Sequence, residues 1–168
     1  KRARAACARL DAWIHAQCAA LPPKPARSER ILPLGAHHDL APLARDVLAA
    51  DFAHDFADRP APPVTWGKRE KSRARRSLRL GSYHPEQHLV RVHPVLDSPA
   101  VPEWFLASLL HHEFLHAAIP NERDARGRRL HHGPEFRRRE RAHVDHRRAL
   151  AWQSEHIARM IRCARNGE

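Results

Sequence analysis

The amino-acid sequence predicts an α+β domain, and three observations predict it. Segments with helical spacing stand near both ends of the chain. Three short β-type segments follow one another between residues 64 and 93. A segment apolar on nearly every helical face comes next. The chain has 168 residues, 42% of them hydrophobic, which suits one folded core better than a disordered tail. One domain over 1–168 is expected, with N-terminal helices in 1–60, a sheet and site core in 61–145 and a C-terminal helix in 146–168.

Residues 3–20 read as a helix that ends before Pro22-Pro23, and the four prolines between Leu21 and Pro33 mark a strap. A second helix is expected from Asp39 to Phe56, with Leu40, Leu43, Val47, Leu48 and Phe52 on its apolar side. Prolines 60, 62 and 63 end it. Strands are expected at Val64–Trp66, Leu78–Tyr83 and His88–His93, the last two joined through His84-Pro85-Glu86-Gln87. These form a small antiparallel sheet of about three strands. The next helix starts at Pro102, where proline suits the first turn, and stops at Pro120. Trp104, Phe105, Leu106, Leu109, Leu110, Phe114, Leu115 and Ile119 surround it, so it belongs at the centre of the fold. After a basic loop, Gly133-Pro134-Glu135 opens a further helix, and a last one runs from Arg147 to Cys163.

His111, His112, Glu113 and His116 interrupt that apolar helix, and polar groups there need partners. His112-Glu113-Phe114-Leu115-His116 is a His-Glu-x-x-His motif. Positions i and i+4 lie one turn apart on one face, so both imidazoles can reach one ion. Chance supplies only about 0.08 such motifs in a chain of this His and Glu content. Zinc lowers the pKa of its water toward ~7, and Glu113, beside the first ligand, is placed to take the proton as the water attacks a carbonyl. A catalytic zinc takes three protein ligands. The turn His131-His132-Gly133-Pro134-Glu135-Phe136 supplies the third, and by spacing alone either histidine serves. Gly133 permits a close backbone approach, and Phe136 can anchor the turn.

The motif followed by Ala117, the His132-Gly133-Pro134-Glu135-Phe136 turn and the strand pair before the helix resemble the SprT-like metalloprotease family, which includes the Spartan protease. The resemblance spans about residues 64 to 140. It implies a zincin-like fold with the HExxH helix at its centre and one zinc ion per chain. The implied ligands are His112, His116 and His132, with Glu113 as catalytic base. It implies a zinc endopeptidase acting on DNA-associated or DNA-crosslinked proteins, a role in crosslink repair. Two departures stand out: the cysteine zinc ribbon of many bacterial relatives and the long tails of Spartan are both missing.

Other residues carry further expectations. Tyr83 could stabilise an oxyanion, and His111 or His131 could donate to a ligand from behind; packing or solvation are the plainer readings. Trp66 and Trp152 read as core, and the His37-His38 and His143/His146 pairs as surface. His111-x-Glu113 matches half of a nucleobase deaminase signature, but the Pro-Cys-x-x-Cys half is missing. A substrate strand is expected along the sheet edge near His88 to His93.

The net charge of +11 is clustered. Residues 68–79 carry seven Lys/Arg against Glu70, a local +6, and residues 123–148 carry ten Arg against four acidic residues, another +6. Clusters of this kind suit a polyanion, so Lys68, Arg69, Lys71, Arg73, Arg75, Arg76, Arg137, Arg138 and Arg139 are candidate nucleic-acid contacts. The competing readings are a non-enzymatic nucleic-acid-binding module with a structural metal, and a peptidase with an unrelated cytosolic substrate. Cys7 and Cys18 lie about 16 Å apart on one helix, too far for a disulfide, which with Cys163 points to a reducing, cytoplasmic setting, nucleoid association included. Trp104 to Leu110, the longest run dominated by apolar residues, falls far short of the ~20 a membrane span needs, so no membrane partner is expected.

Overall fold

The computed structural model describes residues 30–68, 77–119, 122–123 and 129–166. In chain order these form helix α1 (Leu40–Asp51), strands β1 (Val64–Trp66), β2 (Gly81–His84) and β3 (Leu89–Val92), and helix α2 (Glu103–Ala118). A small hairpin of β4 (Glu122–Arg123) and β5 (Arg129–Leu130) follows, then helices α3 (Pro134–Ala142) and α4 (His146–Asn166). The architecture is α+β, with four helices among the described residues and a small three-stranded sheet. The helix expected over 3–20 lies outside them, as does most of the proline strap.

Asp39 starts α1 by accepting the Ala41 N–H on its side chain at 2.9 Å. The helix stops at Asp51 rather than Phe56, because Phe52 leaves the helical conformation at φ −130°, ψ 12°. Its ring turns inward to 1% exposure and meets Phe56, Phe114 and His111. Burying the Phe52 ring contributes about 1.5–3 kcal/mol at the point where the helix breaks.

The sheet order is β1-β3-β2, with β2 antiparallel and β1 parallel to β3. The sheet is therefore mixed, a correction to the antiparallel expectation. A tight turn makes β2 and β3 a hairpin, whereas residues 67–80 are long enough to carry the chain across to the far edge. A second correction follows from the same order. The segment around His88–His93 is the central strand, already paired on both sides, so no further strand can add there. Leu32 covers the outer edge of β1: its carbonyl accepts the Trp66 N–H at 3.0 Å, and its N–H donates to Thr65 Oγ1 at 2.9 Å. The outer edge of β2 pairs with no strand among the described residues.

Helix α2 packs against α1, β2, β3, α3 and α4, as its apolar circumference foretells. Phe105, Leu106, Leu110, Phe114 and Leu115 on it are buried, and so are Val90 and Val92 beneath. Each such side chain contributes about 1.5–3 kcal/mol on burial. At the C-terminus of α2, Arg59 Nη2 donates to the carbonyls of Ala117 and Ala118 at 3.2 and 3.3 Å, satisfying acceptors that no helical N–H reaches. Among the described residues no helix is long and apolar enough to cross a membrane.

Candidate metal centre

The interior position of α2 fixes the site. One face of its last two turns carries His112 and His116 to the surface of the core, half-buried, and the intervening Glu113 points inward at 5% exposure. Gly133 and Pro134 turn the chain into α3, so Phe136 drops into the core at 2% exposure and His132 comes to rest over the other two histidines. The Phe136 ring touches all three imidazoles, with centroid distances of 5.2 Å to His112, 4.6 Å to His116 and 4.5 Å to His132. It is an apolar floor that keeps the rings from collapsing inward.

One ligand nitrogen from each of His112, His116 and His132 lies within 4.8 Å of the other two. His116 Nε2 and His132 Nε2 are 3.2 Å apart. Two nitrogens on a tetrahedral zinc, at bond lengths of about 2.05 Å, stand about 3.3 Å apart, so the spacing fits one ion. The ring planes also converge, crossing at 79°, 65° and 38° for the three pairs.

A residue not foreseen from the sequence completes the arrangement. Glu140 Oε1 accepts from His112 Nδ1 at 2.7 Å. A carboxylate there holds the proton on Nδ1 and leaves the Nε2 lone pair free for a metal. Its signal was present: Glu140 falls one turn after Phe136 and shares its face. Burial, followed by the charges of His112, His132 and His131, drives the His116 pKa down to about 4. Burial also lowers that of His132. Both imidazoles are thus neutral near pH 7, the form a metal requires.

Glu113 sits against the β2 backbone. A Cβ on Gly81 would stand 2.7 Å from Glu113 Oε1, so only glycine lets the carboxylate lie where it does. A lone glycine in a strand pattern is the sequence signal for such an approach. Burial raises the Glu113 pKa, against the lowering effects of His112, the Tyr83 N–H and Arg79. Together these elements line an open cleft of about 530 Å³, with Arg79, Gly81, Ser82, Tyr83 and Pro85 on one wall and the histidines and Glu113 on the other.

The weaker candidates divide. His131 is exposed and lines the cleft beside His132 in the chain. Tyr83 lines it too, but its hydroxyl is engaged. His88 Nε2 lies 2.9 Å from the Pro60 carbonyl and must carry the hydrogen, so His88 Nδ1 accepts the Tyr83 O–H at 3.1 Å. His88 holds φ 47°, a left-handed conformation uncommon for histidine, and these two bonds offset that strain. His111 stays outside the three-histidine group. It is buried against Phe52 and stacks on His143 at 4.3 Å and 19°, and burial takes its pKa to about 4.

His111, His143 and Asp51 form a second group whose atoms could hold an ion, with Asp51 Oδ2 3.7 Å from His111 Nε2 and 3.4 Å from His143 Nδ1. The nearly parallel planes of its imidazoles cannot both contain one ion unless a packed ring turns. The group reads instead as a polar brace joining the ends of α1 and α3 to α2.

Of the candidate nucleic-acid contacts, Arg69, Lys71, Arg73, Arg75 and Arg76 lie outside the described residues. Lys68 and Arg137 are exposed. Arg138 is exposed and pairs with Glu135 at 2.6 Å. Arg139 turns inward, holding Asp55 through two bonds of 2.8 and 2.6 Å over the Phe52 ring.

No family model, curated protein or solved structure matches this chain. Fold and site therefore define the protein by themselves: an α+β domain with a three-histidine group able to bind a metal ion, set beside a buried glutamate in an open cleft.

Proposed function

We propose that the chain is a zinc-dependent endopeptidase of the zincin-like, SprT-like type. The observation that carries this reading is the joint placement of His112, His116 and His132 with the inward carboxylate of Glu113 on the adjoining position of α2. A zinc ion held there supplies Lewis acidity and a water of lowered pKa. The residues do the rest. Glu140 fixes the His112 tautomer, Phe136 floors the site, and Gly81 leaves room for Glu113 to receive a proton and return it to the leaving amine. A structural metal would have no need of a buried carboxylate beside it, nor of a cleft open to peptide.

The peptide backbone adds along the open edge of β2, taking main-chain hydrogen bonds from the strand that touches Glu113. DNA-associated proteins are the substrate class this reading favours. The exposed Arg137 and Arg138 and the basic run 68–79 would hold the nucleic acid. Metal content by mass spectrometry, on protein purified without added metal, is the first test. About one zinc per chain is expected for the wild type, with a marked loss in His132→Ala. Glu113→Gln is expected to keep the metal and lose peptidase activity. Zinc indifferent to His132, or full activity without Glu113, would overturn the reading.

A further inference from the structure

The basic run 68–79 ends at Arg79, and the structure brings that last cation into the cleft. The Leu80 carbonyl accepts the His93 N–H at 2.8 Å, which carries the β2–β3 ladder one residue beyond Gly81. Residues 79, 81 and 83 therefore leave the same face of the extended chain. That face is the one on which a Gly81 Cβ would meet Glu113, and Arg79, Gly81 and Tyr83 all line the cleft. Arg79 is exposed and forms no salt bridge among the described residues. It is also the one permanent cation among the described lining residues, while the single carboxylate there, Glu113, is buried against β2.

We propose that Arg79 forms a subsite for a carboxylate-bearing side chain of the substrate peptide, an inference that rests on the peptidase reading above. Two residues of extended chain span about 7 Å, so Arg79 stands that far along the strand from the Gly81–Glu113 contact where the bond is cut. A peptide strand lying on the β2 edge has its own residues at the same rise. The side chain about two positions from the scissile bond, on the Arg79 side, then meets the guanidinium. A planar fork of donors there matches Asp or Glu in two-point contact and repels Lys or Arg. The site would select acidic peptide segments on one side of the cut and leave the other side, toward Tyr83 and Pro85, to uncharged residues.

The test exposes a randomised peptide library to the full-length zinc-loaded chain, once as wild type for cleavage and once as Glu113→Gln for capture. Each is paired with Arg79→Glu in the same background. Asp or Glu is expected to be enriched about three- to five-fold at one position, the effect of an exposed ion pair, and Arg79→Glu is expected to turn the preference to Lys or Arg. Cleavage with no acidic preference, or with one unchanged in Arg79→Glu, overturns the subsite and leaves the peptidase standing. Neither cleavage nor capture by any version overturns the peptidase reading and this subsite with it. Loss of oligonucleotide binding in Arg79→Glu with peptide selection unaltered would assign the cation to phosphate instead, and also sinks the proposal.

Discussion

Removing the Glu140 carboxylate should weaken zinc binding without unfolding the domain. The bond from His112 Nδ1–H to Glu140 Oε1 is 2.7 Å long, short for an N–H···O contact, and its acceptor is ionised. Hydrogen bonds to charged groups contribute about 1.5–3 kcal/mol, and each 1.4 kcal/mol is a factor of ten in an equilibrium constant. Glu140→Ala loses the acceptor and the charge and frees the ring to turn, so affinity is expected to fall close to 100-fold. Glu140→Gln keeps an oxygen acceptor and loses only the charge, which places it nearer 10-fold. Competition against a chromophoric chelator gives the dissociation constants, and thermal melting of the metal-free proteins shows whether the fold is intact. The expected order is wild type, then Gln, then Ala. Equal affinities in all three would refute the argument that Glu140 sets the His112 tautomer. A drop in both variants matched by melting of the metal-free chain would show the residue to be a fold brace instead.

Gly81→Ala should keep zinc yet cut peptidase turnover about 100-fold, because its Cβ at 2.7 Å must push the Glu113 carboxylate aside; wild-type turnover would show that Glu113 tolerates the shift. The Asp55 pKa is held below the usual carboxylate value, first by the hydrogen bonds from Arg139. A lowered folded pKa contributes stability that is complete above about pH 4 and is lost as pH falls through the folded value. Asp55→Asn should therefore lose about 1–3 kcal/mol of stability at pH 7 and show a flatter acid limb in pH-dependent denaturation, whereas parallel acid curves would remove that account. Arg137→Ala and Arg138→Ala should each weaken DNA binding and reduce its salt slope, while Arg139→Ala should chiefly lower the melting temperature. Binding by fluorescence anisotropy over a salt series separates the two, and a flat series for the wild type would dispose of the nucleic-acid role.

The fold was legible where periodicity was strong and obscure where pairing decides. The circumference of α2 announced its central place, and α3 began at Pro134 as expected. Strand positions were readable within a few residues, but strand order was not. Nothing local in Val64-Thr65-Trp66 says that it runs parallel to Leu89–Val92 or that Leu32 closes its far side. His112, Glu113 and His116 were visible because motif spacing encodes them, whereas spacing left His131 and His132 open and only the family resemblance pointed to His132. Arg139, placed on the surface by composition, is drawn inward by Asp55, a partner far away in sequence. Glu140, Gly81 and His88 act through partners brought near only by folding, and folding alone carries Arg79 into the cleft, so the chain offered hints for some and no statement for any.

The unequal edges of the small sheet have a consequence for solubility. An unpaired strand edge invites a second molecule to extend the sheet, and chains that leave one open risk aggregation. Here the strap through Leu32 seals one side. The other is a four-residue strand with Arg79 ahead of it and a buried carboxylate pressed against it. A copy of this chain has little length to grip and meets fixed charge as it approaches. On the peptidase reading proposed above, the same brevity and polarity that would admit a passing peptide discourage polymerisation, so that a strongly cationic chain would keep a receptive edge in a crowded solution.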